Sequence, residues 1–380
     1  MNSVQKIYKL LLPPERKKGR LMLLIVIIMA ILETAGVASI APFMAVIANP
    51  EIVSSNLYLS SFYDFAGFTR IENEPANLEG FMFMLGVIVF ITFVFSTLFK
   101  AWTILLLERF AQKCNVSLCD QLVKCYLNQP YVWFLNRHSS DIGKAILSEA
   151  AAVINGALFP LIMIIAYGLV TLAVMLLLFI VDPLLAIYIG FGLSIIYALT
   201  YFFLRNLLSS IGDDRVLANK ERFKIVQEGF SGIKDIKVFG LENILLKRFN
   251  GPSLRYAKHT ATQHIIGKLP RFFMEILAFG GMLSVILYLM ISHNGFAEII
   301  PILSLYTVAA YRLMPSLQQV YSQVTTFRFT IPALDLLIED LEKLESSTNE
   351  NLVLNDVKPM SVLSQISLRQ VNFEYPGQKV

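Results

Sequence analysis

Apolar residues in this sequence are gathered into long unbroken runs. Six runs are each long enough to cross a lipid bilayer, which requires about 20 helical residues. They cover residues 21–48, 81–107, 156–181, 184–204, 272–292 and 299–317. Short polar breaks at 181–183 and 293–295 separate the third run from the fourth and the fifth from the sixth. The pattern predicts six transmembrane helices.

The two longest stretches between these runs are polar but still periodic. In residues 108–152 and 206–268, apolar residues recur at intervals of three and four, as Phe223, Val226 and Phe230 do. This spacing places them on one face of a helix. We therefore predict that transmembrane helices two to five continue out of the membrane as long rods, at about 1.5 Å per residue.

Basic residues lie almost entirely on one side of the predicted membrane. Residues 1–20 carry six and residues 205–271 carry thirteen, whereas residues 49–80 carry only Arg70. Because basic loops remain in the cytoplasm, both termini and both long polar stretches are predicted to be cytoplasmic.

The composition agrees with a membrane protein. The chain is 56% hydrophobic and 16% charged, with a mean hydropathy of +0.61. A soluble domain is about a quarter charged, so the shortage of charge argues against a soluble, disordered or disulfide-stabilised chain. The cysteines, Cys114, Cys119 and Cys125, fit neither a CxxC motif nor a zinc ligand set. We interpret them as reduced thiols, and no metal site is predicted.

The last residues have a different pattern. The sixth helix is predicted to end the membrane domain (residues 1–343), and a polar linker follows at 344–363. Residues 364–380 then alternate apolar and polar side chains, which predicts a β-strand. Because a single strand has nothing to pair with, we expect the natural protein to continue into an α/β domain.

This arrangement resembles the transmembrane module of an ABC exporter half-transporter of type IV. The fold class is therefore expected to be an all-α membrane protein with six transmembrane helices and long cytoplasmic extensions, plus one strand of a nucleotide-binding domain. Residues 128–143 and 228–240, at the ends of the two polar stretches, resemble the two coupling helices. Tyr375, in the terminal strand, matches the aromatic residue that stacks on adenine.

The coupling-helix candidates are apolar or aromatic side chains at these two ends. They are Tyr131, Trp133, Phe134, Ile233, Ile236 and Phe239. Such residues either form the core of a hairpin or present a docking surface. The tip of a rod about 35 Å long has little core to join, which favours docking.

Within the family, the sequence is similar to the lipid-linked oligosaccharide flippases of bacterial N-glycosylation. The matching stretches are Glu33–Phe43, Pro270–Glu275 and Tyr311–Ser316. This resemblance implies a homodimer in the bacterial cytoplasmic (inner) membrane. It implies ATP-driven flipping of a polyprenyl-pyrophosphate-linked oligosaccharide or a similar glycolipid.

No GxxxxGK[ST] motif occurs in the 380 residues. The loop that binds phosphate is therefore absent from this sequence. The resemblance implies that the full-length protein hydrolyses ATP, with ATP and Mg²⁺ held by the domain that follows.

Ionisable residues in the apolar runs are costly in a membrane and are candidates for function. They are Glu33, Lys100, Arg271, Glu275 and Arg312. At about 1.5 Å per residue, the three cations fall in the inner-leaflet half of the bilayer. A shared cavity lined by them would suit a diphosphate, which arginine binds through two hydrogen bonds. The flippase resemblance implies this role for Arg271 and Arg312, whereas for Lys100 it follows from depth alone.

Simpler interpretations of these residues stay open. Arg271 and Glu275 are spaced to neutralise each other on one helix face. Lys100 can extend its ammonium group to the membrane interface. Glu33 either binds a cation or a sugar hydroxyl, or is a buried structural acid, and we favour the structural role.

The loop at 49–80 is too long for a simple turn. Residues 52–68 mix aromatic and polar side chains. They predict either an interfacial helix at the outer surface, where the related flippases engage the polyprenyl tail, or an ordinary cap over the transmembrane helices.

Other functions are compatible with the same pattern. One is an ABC exporter of another lipid, a peptide or a drug. Another is a membrane scaffold or receptor without transport. Arg312→Ala separates glycolipid flipping from drug export, because it should abolish glycolipid flipping and spare the efflux of hydrophobic drugs. No nucleic-acid partner is predicted.

Overall fold

The computed structural model describes residues 3–48, 50–68, 70–71, 74–75, 77–135, 139–181, 183–292 and 300–350, with 365, 367, 370 and 371. Most of these residues are helical. The helices are α1 (Ser3–Leu10), α2 (Pro13–Ala38), α3 (Ile40–Ala48), α4 (Ile52–Ser55), α5 (Leu57–Phe65), α6 (Leu78–Leu127), α7 (Tyr131–Leu135), α8 (Ser139–Lys144), α9 (Ala150–Val153), α10 (Phe159–Val181), α11 (Pro183–Ser231), α12 (Ile233–Phe239), α13 (Glu242–Ser292) and α14 (Ile300–Glu350).

Four of these helices are far longer than a membrane is thick. Helices α6, α11, α13 and α14 contain 50, 49, 51 and 51 residues, which corresponds to about 75 Å each. Each contains one predicted transmembrane run and continues beyond it. The prediction of long helical extensions is therefore confirmed. Helix α14 extends to Glu350, seven residues into the predicted linker.

The first apolar run is not one straight helix. It breaks at Ser39, between α2 and α3. Pro42 has no N–H to donate to the carbonyl of Ala38 and its ring crowds that carbonyl, so the helical ladder is interrupted there. The Ser39 hydroxyl donates to the Gly36 carbonyl at 3.0 Å.

The rod that contains the third run has two π-helical turns. They are π1 (Ala145–Glu149) and π2 (Ile154–Leu158), and they join α8, α9 and α10 into one helical path. Gly156 in π2 allows a close approach of α14, because a Cβ atom at this position would lie only 2.2 Å from Thr330 Oγ1.

Three helical segments among the described residues are long and apolar enough to cross a membrane, judged by length and composition. They are Pro13–Ile47, Leu78–Leu127 and Asp141–Ile180. They contain the second predicted run whole, and the first and third runs except for the last residue of each. The other three predicted runs lie in α11, α13 and α14, partly on residues outside the described set.

The helices pack in two groups that meet at α10 and α14. Helices α2, α6 and α10 share a buried apolar core that includes Val26, Leu107 and Tyr167. Helices α11, α13 and α14 meet around Leu208, Ile266 and Phe329. A larger core lies along the extensions and joins α1, α6, α10 and α14.

The loop at 49–80 is partly ordered into short elements. Helices α4 and α5 lie where a helix was predicted, and the two-residue strands β1 (Arg70–Ile71) and β2 (Glu74–Pro75) pair antiparallel. The sequence pattern gave no sign of this hairpin. The predicted terminal strand at 364–380 lies almost entirely outside the described residues.

Candidate substrate cavity and coupling surfaces

A cavity with mixed polar and apolar walls lies between α11, α13 and α14, near the level predicted for the inner membrane surface. Its volume is about 310 Å³. The residues that line it are Tyr197, Arg271, Glu275, Met314, Pro315, Gln318 and Gln319. Two of the five predicted ionisable site residues, Arg271 and Glu275, therefore share this cavity.

Arg271 and Glu275 form an ion pair on one face of α13. Arg271 Nε donates to Glu275 Oε1 at 2.8 Å, and both side chains are more than half exposed. Among the described residues, the two Nη groups of Arg271 have no hydrogen-bond partner. Glu275 therefore engages Nε, while the Nη groups point to no described partner.

The cavity also contains neutral polar groups that the sequence did not reveal. Gln318 donates through Nε2 to the Gly267 carbonyl at 2.7 Å, and its Oε1 is buried without a partner in the described part of the chain. The ring of Tyr197 lies 5.6 Å from that of Tyr321, whose buried hydroxyl likewise has no described partner. A buried acceptor without a donor costs about 1–3 kcal/mol.

Lys100 and Glu33 lie elsewhere, between α2, α6 and α10. Lys100 Nζ donates to Glu33 Oε1 at 2.8 Å, and the Glu33 side chain is only 3% exposed. The ammonium group also lies 5.2 Å from the centre of the Tyr167 ring. The ion pair, together with Tyr167, links three helices, and neither Lys100 nor Glu33 lines the cavity of Arg271.

Two further predicted site residues lie outside what can be described. Arg312 is within α14, but its side chain is outside the described residues. Tyr375 lies outside them altogether. Their predicted roles, in binding diphosphate and adenine, stay predictions.

The first coupling-helix candidate is α7. Tyr131 at its start is 67% exposed. The ring of Trp133 packs 5.6 Å from that of Tyr126 and 5.0 Å from that of Phe134. The two interpretations of this segment therefore apply to different residues, because Trp133 joins the hairpin core while Tyr131 faces outward.

The second candidate, α12, is a short helix at the turn between α11 and α13. Ile233 is 42% and Phe239 is 70% exposed, whereas Ile236 is half-buried. Gly240 ends the helix with a positive φ of 63°, a conformation that glycine adopts without strain. The Leu241 amide then donates to the Ile236 carbonyl at 3.0 Å. The result is a compact turn with an apolar outer surface.

The outer helix α5 has one buried face and one exposed face. Asn56 caps it by accepting from the Tyr58 amide at 3.0 Å. Tyr63 is fully buried against Phe81, which supports the cap interpretation. Tyr58 and Phe65 are 86% and 87% exposed and remain available to a lipid.

A buried cluster of charged residues lies in the helical extensions, and no pattern in the sequence indicates it. Glu149 in π1 accepts from Asn219 Nδ2 at 2.8 Å and lies 3.6 Å from Lys144 Nζ and 3.5 Å from Arg215 Nη2. Burial lowers the pKa of Lys144, and Glu149 partly offsets this effect. No local motif marks the cluster, because Asn219 and Arg215 lie about 70 residues away in the sequence.

The three cysteines are free thiols. Burial raises the pKa of Cys114 to about 12. Within the described residues, no group of three or more His, Cys, Asp or Glu side chains is placed to hold a metal ion.

Long apolar helices, two exposed turns at the ends of their extensions and a cavity between α11, α13 and α14 form the arrangement of a polytopic membrane domain. The sequence matches the family model of the ABC transporter transmembrane region over residues 21–323. The chain therefore belongs to this family, which confirms the ABC exporter resemblance at this level.

The fold is also similar to a solved structure, that of a bacterial Atm1-family ABC exporter with ATP bound. The TM-score is 0.61 at 14% sequence identity, over 85% of this chain and 53% of that chain. At this identity the likeness concerns the fold alone. The chain spans about half the length of that exporter.

Proposed function

We propose that this chain is the transmembrane domain of a half-transporter that flips a polyprenyl-pyrophosphate-linked oligosaccharide, or a similar glycolipid, across the bacterial cytoplasmic membrane. Two copies form the transporter, with both termini in the cytoplasm. ATP and Mg²⁺ bind to the nucleotide-binding domain of the full-length protein, in which Tyr375 stacks on adenine. The similar exporter, solved with ATP bound, supports this energy source.

The observation that carries the proposal is the cavity of Arg271. The two Nη groups of this arginine match the oxygens of a diphosphate, which accept paired hydrogen bonds. The cavity is also lined by Gln318 and by the Tyr197 ring, on which a sugar can pack. An apolar drug has no diphosphate with which Arg271 could form paired hydrogen bonds.

The exposed surfaces of α7 and α12 explain how ATP binding would move the membrane domain. The exposed apolar side chains of α7 and α12 dock on the ATP-binding domains, which burial of Tyr131 and Phe239 would favour. When ATP closes those domains, the helices move as rods and shift the cavity between its inward and outward states. ATP drives this shift because it binds the closed state more tightly.

The proposal is tested by substrate-stimulated ATP hydrolysis of the full-length protein in nanodiscs. Lipid-linked oligosaccharide is compared with polyprenyl pyrophosphate lacking sugars and with a hydrophobic dye. We expect the oligosaccharide lipid to stimulate hydrolysis most. Arg271→Ala should raise the half-saturating concentration of the oligosaccharide lipid about tenfold, because one charged hydrogen bond is lost.

The matched control is Arg109→Ala, which removes an exposed arginine of α6 outside the cavity. It should leave the stimulation unchanged. Stimulation by the dye alone would support the drug-export alternative and contradict the proposal.

A further inference from the structure

The N-terminal helix α1 is fastened to the far end of α14. Lys6 Nζ donates to Asp335 Oδ1 at 2.7 Å, and Lys9 Nζ donates to Glu342 Oε1 at 2.9 Å. Lysines three residues apart lie on one face of a helix. Ile7, between them in sequence, is only 3% exposed and belongs to the same core as α14.

The same end of α14 is also bonded to the first hairpin. Gln129, just before α7, donates through Nε2 to the Leu344 carbonyl at 3.1 Å and to the Cys125 carbonyl at 3.2 Å. Trp133 of α7 packs against the core that contains Leu344. Helix α1, helix α7 and the end of α14 therefore meet in one packed unit.

This unit lies far from the predicted membrane. Leu344 follows the predicted end of the sixth transmembrane run by about 27 residues, or about 40 Å of helix. If the end of α14 were not held, it would bend and fray. Movement of the chain beyond residue 344 would then be transmitted poorly to the membrane helices. An end that is held against the hairpin transmits that motion.

We propose that α1 is a strap that fixes the end of α14 to the first coupling hairpin. Lys6, Lys9 and Gln129 are positioning residues that make α7 move together with the chain that follows residue 344. They thereby couple ATP hydrolysis to transport. The inference rests on the proposed ATP-driven export and does not depend on which substrate is carried.

The strap is tested in the full-length protein with the double variant Lys6→Gln/Lys9→Gln. The matched control is Lys343→Gln, which neutralises a lysine of the same region whose ion pair, with Glu339 at 2.6 Å, lies within α14 itself. Transported substrate per ATP hydrolysed is the functional readout. We expect the double variant to keep near wild-type hydrolysis and to lose several-fold in transport per ATP, while the control keeps both.

Charge exchange distinguishes the strap from a loss of folding. Lys6→Glu/Lys9→Glu should lose coupling, and the addition of Asp335→Lys/Glu342→Lys should restore it. If Lys6→Gln/Lys9→Gln transports as much per ATP as the wild type, the strap is wrong. Gln129→Met removes the amide donor at similar size and should show the same uncoupling. It tests the strap independently where the double variant folds poorly.

Hydrogen exchange provides a readout that needs no substrate. Backbone amides of residues 338–344 should exchange faster in Lys6→Gln/Lys9→Gln and unchanged in Lys343→Gln. Equal exchange in both variants overturns the strap even where transport is active. Faster exchange in a protein that flips no glycolipid supports the strap and contradicts only the proposed substrate.

Discussion

Lys100 and Glu33 form an ion pair of 2.8 Å between α6 and α2, with the carboxylate almost fully removed from solvent. Charges are costly inside a membrane protein unless they are paired. The pair holds two transmembrane helices at a fixed register, and Tyr167 brings in a third. A structural role for both Glu33 and Lys100 would follow from this geometry.

Lys100→Met is therefore expected to destabilise the protein strongly. It leaves the Glu33 carboxylate buried without its cation, a change that costs about 3–5 kcal/mol in buried pairs. Thermal unfolding in detergent measures the effect. The double variant Glu33→Gln/Lys100→Met should regain most of the loss, because no unpaired charge remains. If Lys100→Met were as stable as the wild type, the ion pair would not contribute to the stability of the fold.

Gly212→Ala is expected to destabilise the protein through a steric clash. A Cβ atom at this position would lie 2.4 Å from the Phe329 carbonyl oxygen, so Gly212→Ala forces α11 away from α14. Forced overpacking typically costs about 1–3 kcal/mol. Gly143→Ala is the control, since nothing lies within 4 Å of its added methyl group. Equal melting temperatures for the two variants would contradict the close contact.

Much of the fold could be predicted because its signals are local. Apolar runs of about 20 residues and helical periodicity are visible without a structure. The contacts that define sites are not local. Lys100 contacts Glu33 across 67 residues, and Lys6 contacts Asp335 across 329 residues. Lys100 was grouped with Arg271 because their estimated depths in the membrane are similar, but depth does not show which helices a side chain faces. Gln318 was missed because its partner, the Gly267 carbonyl, is a backbone atom.

Acid should loosen the contact between α11 and α13 through Asp214. This carboxylate accepts hydrogen bonds from Arg255 and lies 2.5 Å from His259 Nε2, and these contacts hold its pKa below the ordinary value of 3.8. A lowered carboxyl pKa stabilises the fold above the ordinary value, and the stabilisation is lost as the pH falls through the lower, native value. We expect the protection factors for hydrogen exchange in α13, which correct for the intrinsic effect of pH, to fall below about pH 3.8 in the wild type.

Asp214→Asn removes the titrating group and is the control for this pH effect. Its protection factors should be lower than those of the wild type at neutral pH and should change little on acidification. The same acid-induced fall in protection in both proteins would assign the effect to another group.

Cys114 should resist alkylation at pH 8. With a pKa near 12 instead of 9.0, its thiolate population is about a thousandfold smaller. Mass spectrometry after brief maleimide treatment measures the labelling of each cysteine, and denatured protein supplies the reference in which all three react. Rapid labelling of Cys114 in the native protein would show that this part of α6 is open to solvent.

Flipping by the full-length protein in proteoliposomes tests the central claim most directly. A fluorescent lipid-linked oligosaccharide is placed in the membrane, and its arrival in the opposite leaflet is followed with ATP and Mg²⁺. We predict ATP-dependent flipping that Arg271→Ala reduces about tenfold and Arg109→Ala leaves intact. No flipping by the wild type, or equal flipping by both variants, would contradict the assignment of this cavity to a glycolipid head group.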